Sequence, residues 1–468
     1  MIPGPVSVNR GAAVSPPLLD RRCAGVLLHP TSLPAGTLGV DAERFMDFLR
    51  AGGFSVWQML PLGPVGPNGS PYSSDSAFAG NAALIPPGCQ TGPIDRSELE
   101  RFQAQAAYWL EDYALFQAIR HERGGQAWWD WPEELRQRKP GALQTFANQH
   151  AGAITRCVEE QFRFEQAWQR VREAAARRGI LLYGDLPMFV VADSADVWTH
   201  PDLFRLDRRG RPTHVAGVPP DAFAALGQCW DNPVFDWAQM RAQGFDWWRQ
   251  RLVHECRRFD LLRWDHFRGL AAIWEIPVTG DGGHKQPAAG AWHAVPGREL
   301  LDCLARSLGS LPLVAENLGI ITPEVEELRK SFGLPGMHVL QFAFDGNPAN
   351  PHLPVNHEVQ GVAYTGTHDN DTSLGWWCAL SGEARQQVLA ALGNPAMPMP
   401  DALIHAALDS RCRLAVIPLQ DLLGLDTTAR MNIPGQAQGQ WRWKFSWDQI
   451  APAQVRHWRG DVGVANRL

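Results

Sequence analysis

Short apolar runs alternate with amphipathic stretches along most of the chain. Residues 24–30 form an apolar run that ends at a proline, and residues 55–61 form a second one, so both predict buried strands. Between them, residues 41–52 carry apolar side chains at helical spacing and are followed by glycine, which predicts a helix. Strand, helix and strand in this order indicate a βα unit of a parallel sheet.

Six further apolar runs follow, and helical patterns separate most of them. With the loops in which some of them end, they cover 180–191, 258–269, 311–319, 338–344, 361–371 and 413–421. Helices are predicted at 108–121, 153–178, 245–257, 323–331, 383–392 and 401–410. Eight apolar runs alternating with helices predict an α/β fold of the (β/α)8 TIM-barrel type.

Two stretches are too long to be plain connections between a strand and a helix. Residues 64–179 are mostly helical in pattern, and residues 189–244 are polar and rich in proline and glycine. We therefore expect a single barrel over 21–468 with these two insertions, after the second and third strands. Residues 1–20 are expected to form a flexible arm, because they lack the sustained apolar region of a signal peptide.

Composition narrows the function classes. The 468 residues are 45% hydrophobic and 20% charged with a net charge of −6, and no basic block appears, so neither nucleic acid nor a membrane is an expected partner. The eight cysteines are scattered without a C-x-x-C pair, which argues against zinc and iron–sulfur sites and predicts reduced thiols in the cytoplasm. The 20 tryptophans suit sugar stacking, although tryptophan also fills cores.

Three predicted strands end in an acidic residue that precedes a polar loop: Asp265, Glu316 and Asp369. The carboxyl ends of barrel strands meet at one open end, where such barrels carry their chemistry. Adjacent strands lie about 5 Å apart. Asp265 and Glu316 can therefore reach the separation of about 5–5.5 Å that a retaining glycosidase needs, whereas an inverting enzyme needs about 6.5–9.5 Å.

These positions predict distinct roles for the acids. One carboxylate of the pair Asp265 and Glu316 would attack the anomeric carbon while the other protonates the leaving oxygen. Arg263 lies two residues before Asp265, on the same strand face, and would keep that carboxylate ionised. Glu316 follows Val-Ala, an apolar setting that favours a raised pKa. Asp369 would hydrogen-bond the sugar as its ring flattens.

The loop over 62–81 is rigid and polar, and it lacks the glycine–lysine patterns that bind phosphate. Ser70, Tyr72 and Asp75 are the groups in it that can bind a polyhydroxylated ligand.

Other interpretations of these residues stay open. Arg263 and Asp265 could form a purely structural ion pair. Asp265-His266 and the stretch 368–371 contain metal-ligand types, but a His-x-His pair on the first strand is missing because His29 stands alone. No G-x-S-x-G elbow supports a serine nucleophile. A glycan-binding protein without catalysis would not need three acids at strand ends.

Seven short motifs occur in an order that resembles one enzyme family. They are Leu27-Leu-His-Pro-Thr-Ser-Leu-Pro34, Gly69-Ser-Pro-Tyr-Ser73 with Ser76-Ala-Phe-Ala-Gly-Asn81, Gly184-Asp-Leu-Pro187 with Asp193-Ser-Ala-Asp-Val-Trp198, Asp265-His-Phe-Arg-Gly269, Ala315-Glu316, Gly366-Thr-His-Asp-Asn370 and Ala429-Arg-Met-Asn432. From Arg21 to Trp447 the chain resembles the amylomaltases, the 4-α-glucanotransferases of glycoside hydrolase family seventy-seven.

The resemblance implies an α-amylase-type barrel, retaining chemistry and no metal or organic cofactor. It implies Asp265 as nucleophile, Glu316 as general acid/base and Asp369 as transition-state stabiliser. The residues that it places around the donor and acceptor sugars are Arg263, His368, Tyr72, Ser70, Gln228 and Trp230, to which we add Asp75 and His266. The implied reaction transfers a segment of one α-1,4-glucan to the 4-hydroxyl of another glucan or of glucose, with maltooligosaccharides as partners. Hydrolysis of α-1,4-glucans is the alternative.

Five positions depart from the family pattern. Asn317 stands where an Asp is usual, and the loss of that negative charge should make Glu316 easier to ionise. Trp264 replaces an aliphatic residue and needs room on the helix side of the barrel. The other departures are Ala222 for Tyr, Asp231 for Gly and Gln440 for Asn. The chemistry is expected to survive because all three acids remain.

Overall fold

The computed structural model describes residues 19–66, 68–220, 226–280, 283–436 and 438–468, and within them eight parallel strands close into a barrel. The strands of the chain are β1 (Cys23–Leu27), β2 (Val56–Gln58), β3 (Leu181–Leu186), β4 (His214–Val218), β5 (Gln228–Pro233), β6 (Leu261–Trp264), β7 (Ala272–Thr279), β8 (His284–Lys285), β9 (Ala291–Ala294), β10 (Leu313–Ala315), β11 (Gly336–Val339), β12 (Gly361–Tyr364) and β13 (Leu414–Pro418). Around the barrel the order is β1, β13, β12, β11, β10, β6, β3 and β2. Each of these strands overlaps one of the eight predicted apolar runs, so the predicted barrel is confirmed.

Helices surround the barrel and fill its longer connections. They are α1 (Val40–Gly52), α2 (Arg96–Ala106), α3 (Leu110–Glu122), α4 (Glu133–Arg136), α5 (Pro140–Gln149), α6 (Ala151–Arg178), α7 (Ala195–Thr199), α8 (Trp237–Ala242), α9 (Asp246–Arg258), α10 (Gly297–Leu308), α11 (Pro323–Ser331), α12 (Ser373–Ala379), α13 (Gly382–Ala391), α14 (Asp401–Asp409), α15 (Leu419–Leu422) and α16 (Pro452–Val464). Among the described residues, none of these helices combines the length and the apolar composition that a membrane span requires.

Alternation along the strands separates two cores. Side chains such as Val56, Val314 and Tyr364 point into the barrel and pack together there. Their neighbours, such as Trp57 and Leu313, face outward and pack in the layer between the barrel and the helices. Both layers are buried, which is why the strands appear in the sequence as continuous apolar runs.

The sixth barrel strand differs from its prediction. The sequence predicts a strand over 338–344, whereas β11 spans Gly336–Val339 and residues Leu340–Phe342 form a 3-10 turn. Each residue of β11 pairs with one residue of β12, from Gly336 opposite Gly361 to Val339 opposite Tyr364. β11 ends where its pairing with β12 ends, and a hydrophobicity pattern cannot show where that pairing stops.

A small antiparallel sheet beside the barrel was not predicted. It has the order β5, β4, β7 and β8, and β9 also pairs with β7. β4 contains a glycine, β5 ends in a proline and β9 is exposed, so these strands lack the long apolar runs of the barrel. This sheet carries Gln228 and Trp230 on β5 to the open end of the barrel.

The amino-terminal end of the barrel is closed by a buried arginine from the last residues of the chain. Arg467 is fully buried, and its guanidinium donates to the carbonyl oxygens of Leu408, Ser410, Cys412, Arg413 and Cys23 at 2.5 to 3.2 Å. Burial lowers the pKa of Arg467 to about 10, so it remains charged at neutral pH. One side chain thus ties the starts of β1 and β13 together.

Candidate active site

The register of two neighbouring strands places the first two acids side by side. Trp264 and Ala315, the last residues of β6 and β10, pair with each other, and the acid follows directly after each strand, as Asp265 or Glu316. The backbone N–H of His266, the residue after Asp265, donates to Oε2 of Glu316 at 2.7 Å. Both carboxyl groups therefore lie at the same end of the barrel on adjacent strands.

Glu316 has the environment of a proton donor. Its side chain is buried, and burial raises its pKa from 4.5 to about 7, with the nearby charge of Asp265 adding to the rise. Arg263 opposes this rise, as do the backbone N–H groups of His266 and Leu318, which donate to the carboxylate at 2.7 and 2.9 Å. At neutral pH a substantial fraction of Glu316 is protonated.

Arg263 connects two acids at the open end. One of its terminal nitrogens, Nη1, bonds both carboxylate oxygens of Asp185 at 2.8 and 3.0 Å, and the other, Nη2, lies 3.0 Å from Oδ1 of Asp265. The predicted pair of Arg263 with Asp265 is thus present, but it is part of a larger network. Arg263 supplies positive charge next to Asp265, as a nucleophilic carboxylate requires.

Asp185 is a site residue that the sequence analysis did not select. It lies one residue before the end of β3, pairs in register with Arg263, and is almost fully buried. Burial raises its pKa, and Arg263 acts against that rise. The hydroxyl of Tyr72 donates to Asp185 at 2.7 Å. The signal used for the other three acids, an acid at a strand end before a polar loop, misses Asp185 because apolar residues follow it from Met188 to Val191.

The third acid is held on the other side of the opening. Asn432 Nδ2 donates to Oδ1 of Asp369 at 2.6 Å, and Arg430 donates to the Asp369 backbone carbonyl at 2.7 Å. His368 Nε2 lies 3.5 Å from Oδ2 of Asp369 and 2.9 Å from the Tyr72 hydroxyl. Burial lowers the pKa of His368, so the imidazole is neutral near pH 7. A pocket lined by His29, Thr367, His368 and Asp371 lies on this side of the opening.

Asn432 and Arg430 could not be predicted from hydrophobic periodicity, because they lie in a loop after the last barrel strand. Only the motif that contains them marks them in the sequence.

Three of the predicted substrate-binding residues, Trp230, Gln228 and His266, lie together beside Asp265. The ring of Trp230 meets that of His266 edge to face at 4.8 Å, and Gln228 accepts from the Trp230 indole at 3.1 Å. His266 adopts φ +52°, which turns its side chain out of the strand direction. Burial lowers the pKa of His266 to about 3, so it is neutral and can hydrogen-bond a hydroxyl.

Ser70 and Asp75 have different positions relative to this cluster. Ser70 Oγ accepts from the backbone N–H of Tyr72 at 3.2 Å, so it shapes the loop that presents Tyr72. Asp75 instead binds Gln117 and Arg120 of α3, at 2.8 and 3.1 Å. The structure therefore does not bring Asp75 to the three acids, and its contacts anchor the loop to the helical layer.

Two departures from the family pattern are explained by contacts away from the acids. Asn317 donates to Glu326 of α11 and accepts from the N–H of Met337, so its side chain points to the helix side rather than to the opening. With Asn317 at this position, burial still raises the pKa of Glu316. Trp264 also faces the helices, where it stacks on Trp248 of α9 at 5.0 Å.

The remaining departures are Asp231 on β5, Gln440 in a loop, and Ala222. Asp231 takes φ +62°, the conformation that suits the usual glycine, and its carboxylate binds Lys285 at 2.7 Å. Gln440 accepts from the N–H of Ile433 at 2.9 Å and so closes a loop. Ala222 lies outside the described residues.

The described part of the chain contains no preformed metal site. No group of three histidine, cysteine, aspartate or glutamate side chains there has an arrangement that could hold a metal ion. Asp265 is paired with Arg263, and Asp371 accepts from the hydroxyl of Thr427 at 2.8 Å.

The closed barrel and its carboxyl groups define the chain as a (β/α)8 enzyme with acids at the carboxyl ends of its strands. The sequence profile of the 4-alpha-glucanotransferase family matches residues 27–91 and 89–449. The chain is 40% identical over 502 residues to the 4-alpha-glucanotransferase of Thermus thermophilus, covering 96% of this chain and 99% of that protein. It is 41% identical over 488 residues to that of Synechocystis sp., covering 92% and 95%.

Structural comparison agrees with the sequence. The amylomaltase from Streptococcus agalactiae in complex with acarbose matches with a TM-score of 0.90 at 32% identity, covering 96% of this chain and 100% of that one. The chain therefore belongs to the 4-alpha-glucanotransferase family, and the resemblance drawn from its motifs is confirmed.

Proposed function

We propose that this enzyme is a retaining 4-α-glucanotransferase that acts on maltooligosaccharides and other α-1,4-glucans as both donors and acceptors. The observation that carries the proposal is the contact of buried Glu316 with the backbone N–H next to Asp265, at the open end of the barrel. The names of the relatives support the same activity. The reaction uses side chains alone, without a metal or organic cofactor, and the eight unpaired cysteines suit the reducing cytoplasm.

The first half-reaction cleaves the donor. A carboxylate oxygen of Asp265 attacks the anomeric carbon while the glycosidic C–O bond breaks, and Glu316 gives its proton to the departing O4. Arg263 places its positive charge 3.0 Å from the Asp265 carboxylate. Asp369, fixed by Asn432, hydrogen-bonds the ring as positive charge develops on it. The product is a glycosyl ester on Asp265 and a shortened glucan.

The second half-reaction transfers the retained segment. The 4-hydroxyl of an acceptor attacks the anomeric carbon, its proton passes to Glu316, and Asp265 leaves as a carboxylate. Trp230 and Gln228 lie over His266 and provide a face and polar groups for the acceptor sugar. A bound sugar there excludes water from the intermediate, which favours transfer over hydrolysis.

Maltotriose distinguishes the two outcomes. Incubation with the enzyme is expected to give glucose together with a ladder of longer maltooligosaccharides, because one maltotriose donates to another. Chromatography of the products over time measures this. A chelator should leave the rate unchanged. Accumulation of glucose and maltose without longer products would instead show that hydrolysis is the function.

The pH dependence should report on Glu316. Its pKa of about 7 means that kcat/KM for maltotriose should fall as the pH rises through about 7, because the free enzyme then loses the proton needed for cleavage. Rates between pH 5 and 9 measure this. Burial also raises the pKa of Asp185, so Asp185→Asn is the control variant. Any fall in kcat/KM at alkaline pH that this variant still shows would belong to Glu316. A profile that stays flat to pH 9 would contradict the assignment of Glu316 as the acid.

A further inference from the structure

One tryptophan at the open end has a backbone conformation that large side chains rarely adopt. Trp441 takes φ +64°, in the left-handed region where the Cβ atom crowds the following carbonyl. Strained residues of this kind persist when surrounding contacts enforce them, and they cluster at functional sites. The contacts of Trp441 therefore indicate which role this strained conformation has in the site.

The strained backbone is fixed by its own segment. The N–H of Trp441 donates to the carbonyl of Met431 at 2.8 Å, and Gln440 accepts from the N–H of Ile433 at 2.9 Å. The same segment begins with Asn432, which holds Asp369. The segment of residues 432–436 and 438–441 thus reaches the site at both of its ends.

The indole of Trp441 meets two rings of the site. Its ring lies 6.0 Å from that of Tyr72 and 5.9 Å from that of His368, while Tyr72 and His368 stack on each other at 5.3 Å and 17°. The Tyr72 hydroxyl donates to Asp185 and lies within hydrogen-bond distance of His368. Trp441 therefore confines a tyrosine whose hydroxyl joins two polar groups beside the acids.

We infer that Trp441 is a positioning residue for the donor sugar. It holds the stacked pair of Tyr72 and His368 in the geometry that receives the ring attacked by Asp265. Without the indole, Tyr72 gains room to tilt, and its bonds to Asp185 and His368 loosen. Acceptor binding is unaffected, because Trp230 and Gln228 lie on the separate strand β5. The kinetic part of this inference rests on the proposed function.

The kinetic test compares Trp441→Ala, Trp441→Phe and Trp443→Ala. Trp441→Ala should lower kcat/KM for the donor by about 10- to 100-fold, the range that a small misplacement of a reacting group can produce. The KM for glucose as acceptor should stay unchanged, and Trp441→Phe should recover most of the loss. Trp443 lies in the same region and is half-buried, so Trp443→Ala controls for a general loss of stability.

A binding measurement separates this inference from the proposed activity. In an Asp265→Asn background, Trp441→Ala should weaken maltotriose binding by about 3- to 10-fold in calorimetry, as expected for one lost aromatic contact. If the parent enzyme binds maltotriose but makes no transfer products, the proposed function fails while this comparison still decides the role of Trp441. Unchanged donor binding and turnover in Trp441→Ala, or the same donor-specific loss in Trp443→Ala, would overturn the inference.

Discussion

The Asp265→Asn variant is expected to lose disproportionation of maltotriose by on the order of 10⁴-fold or more, because an amide cannot form the glycosyl ester on which both half-reactions depend. The substitution also removes the charge that pairs with Arg263 at 3.0 Å. Product formation measured over days at high enzyme concentration would quantify the residual rate.

The matched control is Asp47→Asn. Asp47 lies on α1, is largely exposed, and pairs with Arg178 at 2.7 Å, so it loses the same charge far from the open end. Its activity should match that of the parent enzyme. Circular dichroism and thermal melting would show that both variants fold. A rate for Asp265→Asn within tenfold of the parent would remove Asp265 from the mechanism.

Replacing Arg467 by methionine is expected to lower the free energy of unfolding by about 3 kcal/mol or more, because charged hydrogen bonds are lost and buried carbonyls remain without donors. The carbonyls of Cys23 and Arg413 are among those that it binds at the starts of β1 and β13. Arg467→Lys should also destabilise the fold, because an ammonium group cannot reproduce the planar fork of five donors.

The urea midpoint at constant slope measures this change. Arg459→Met provides the control, since Arg459 lies on α16, is exposed, and makes a single bond of 3.3 Å to the carbonyl of Arg50. That variant should change the unfolding free energy by less than about 0.5 kcal/mol. If the two midpoints are equal, the arginine does not hold the strand starts together.

The barrel and three of its acids could be predicted because their signals are local. A buried parallel strand is a continuous apolar run, and an acid directly after it stands out, as Asp265 and Glu316 do. Asp185 lies one residue before the end of β3, but the sequence continues into apolar residues after Pro187, which hides the end of the strand.

Other features depend on contacts between distant segments. Asp75 lies in a polar loop like Ser70 and Tyr72, and only the packing of α3 turns it towards Arg120. Trp441 is unremarkable by composition, because its strain exists only in the folded backbone. The antiparallel sheet escaped prediction because its strands mix buried side chains, such as Val215 and Ile276, with exposed ones, so no continuous apolar run marks them.

The pairing of Trp264 with Ala315 also sets a condition on assembly. Shifting β10 by a single residue against β6 would rotate Glu316 to the helix side and leave Asp265 without its partner, although the hydrophobic layers would still partly fill. A refolding experiment could exploit this, because recovered turnover would count the molecules whose strands are correctly aligned, whereas recovered secondary structure would count misaligned ones too.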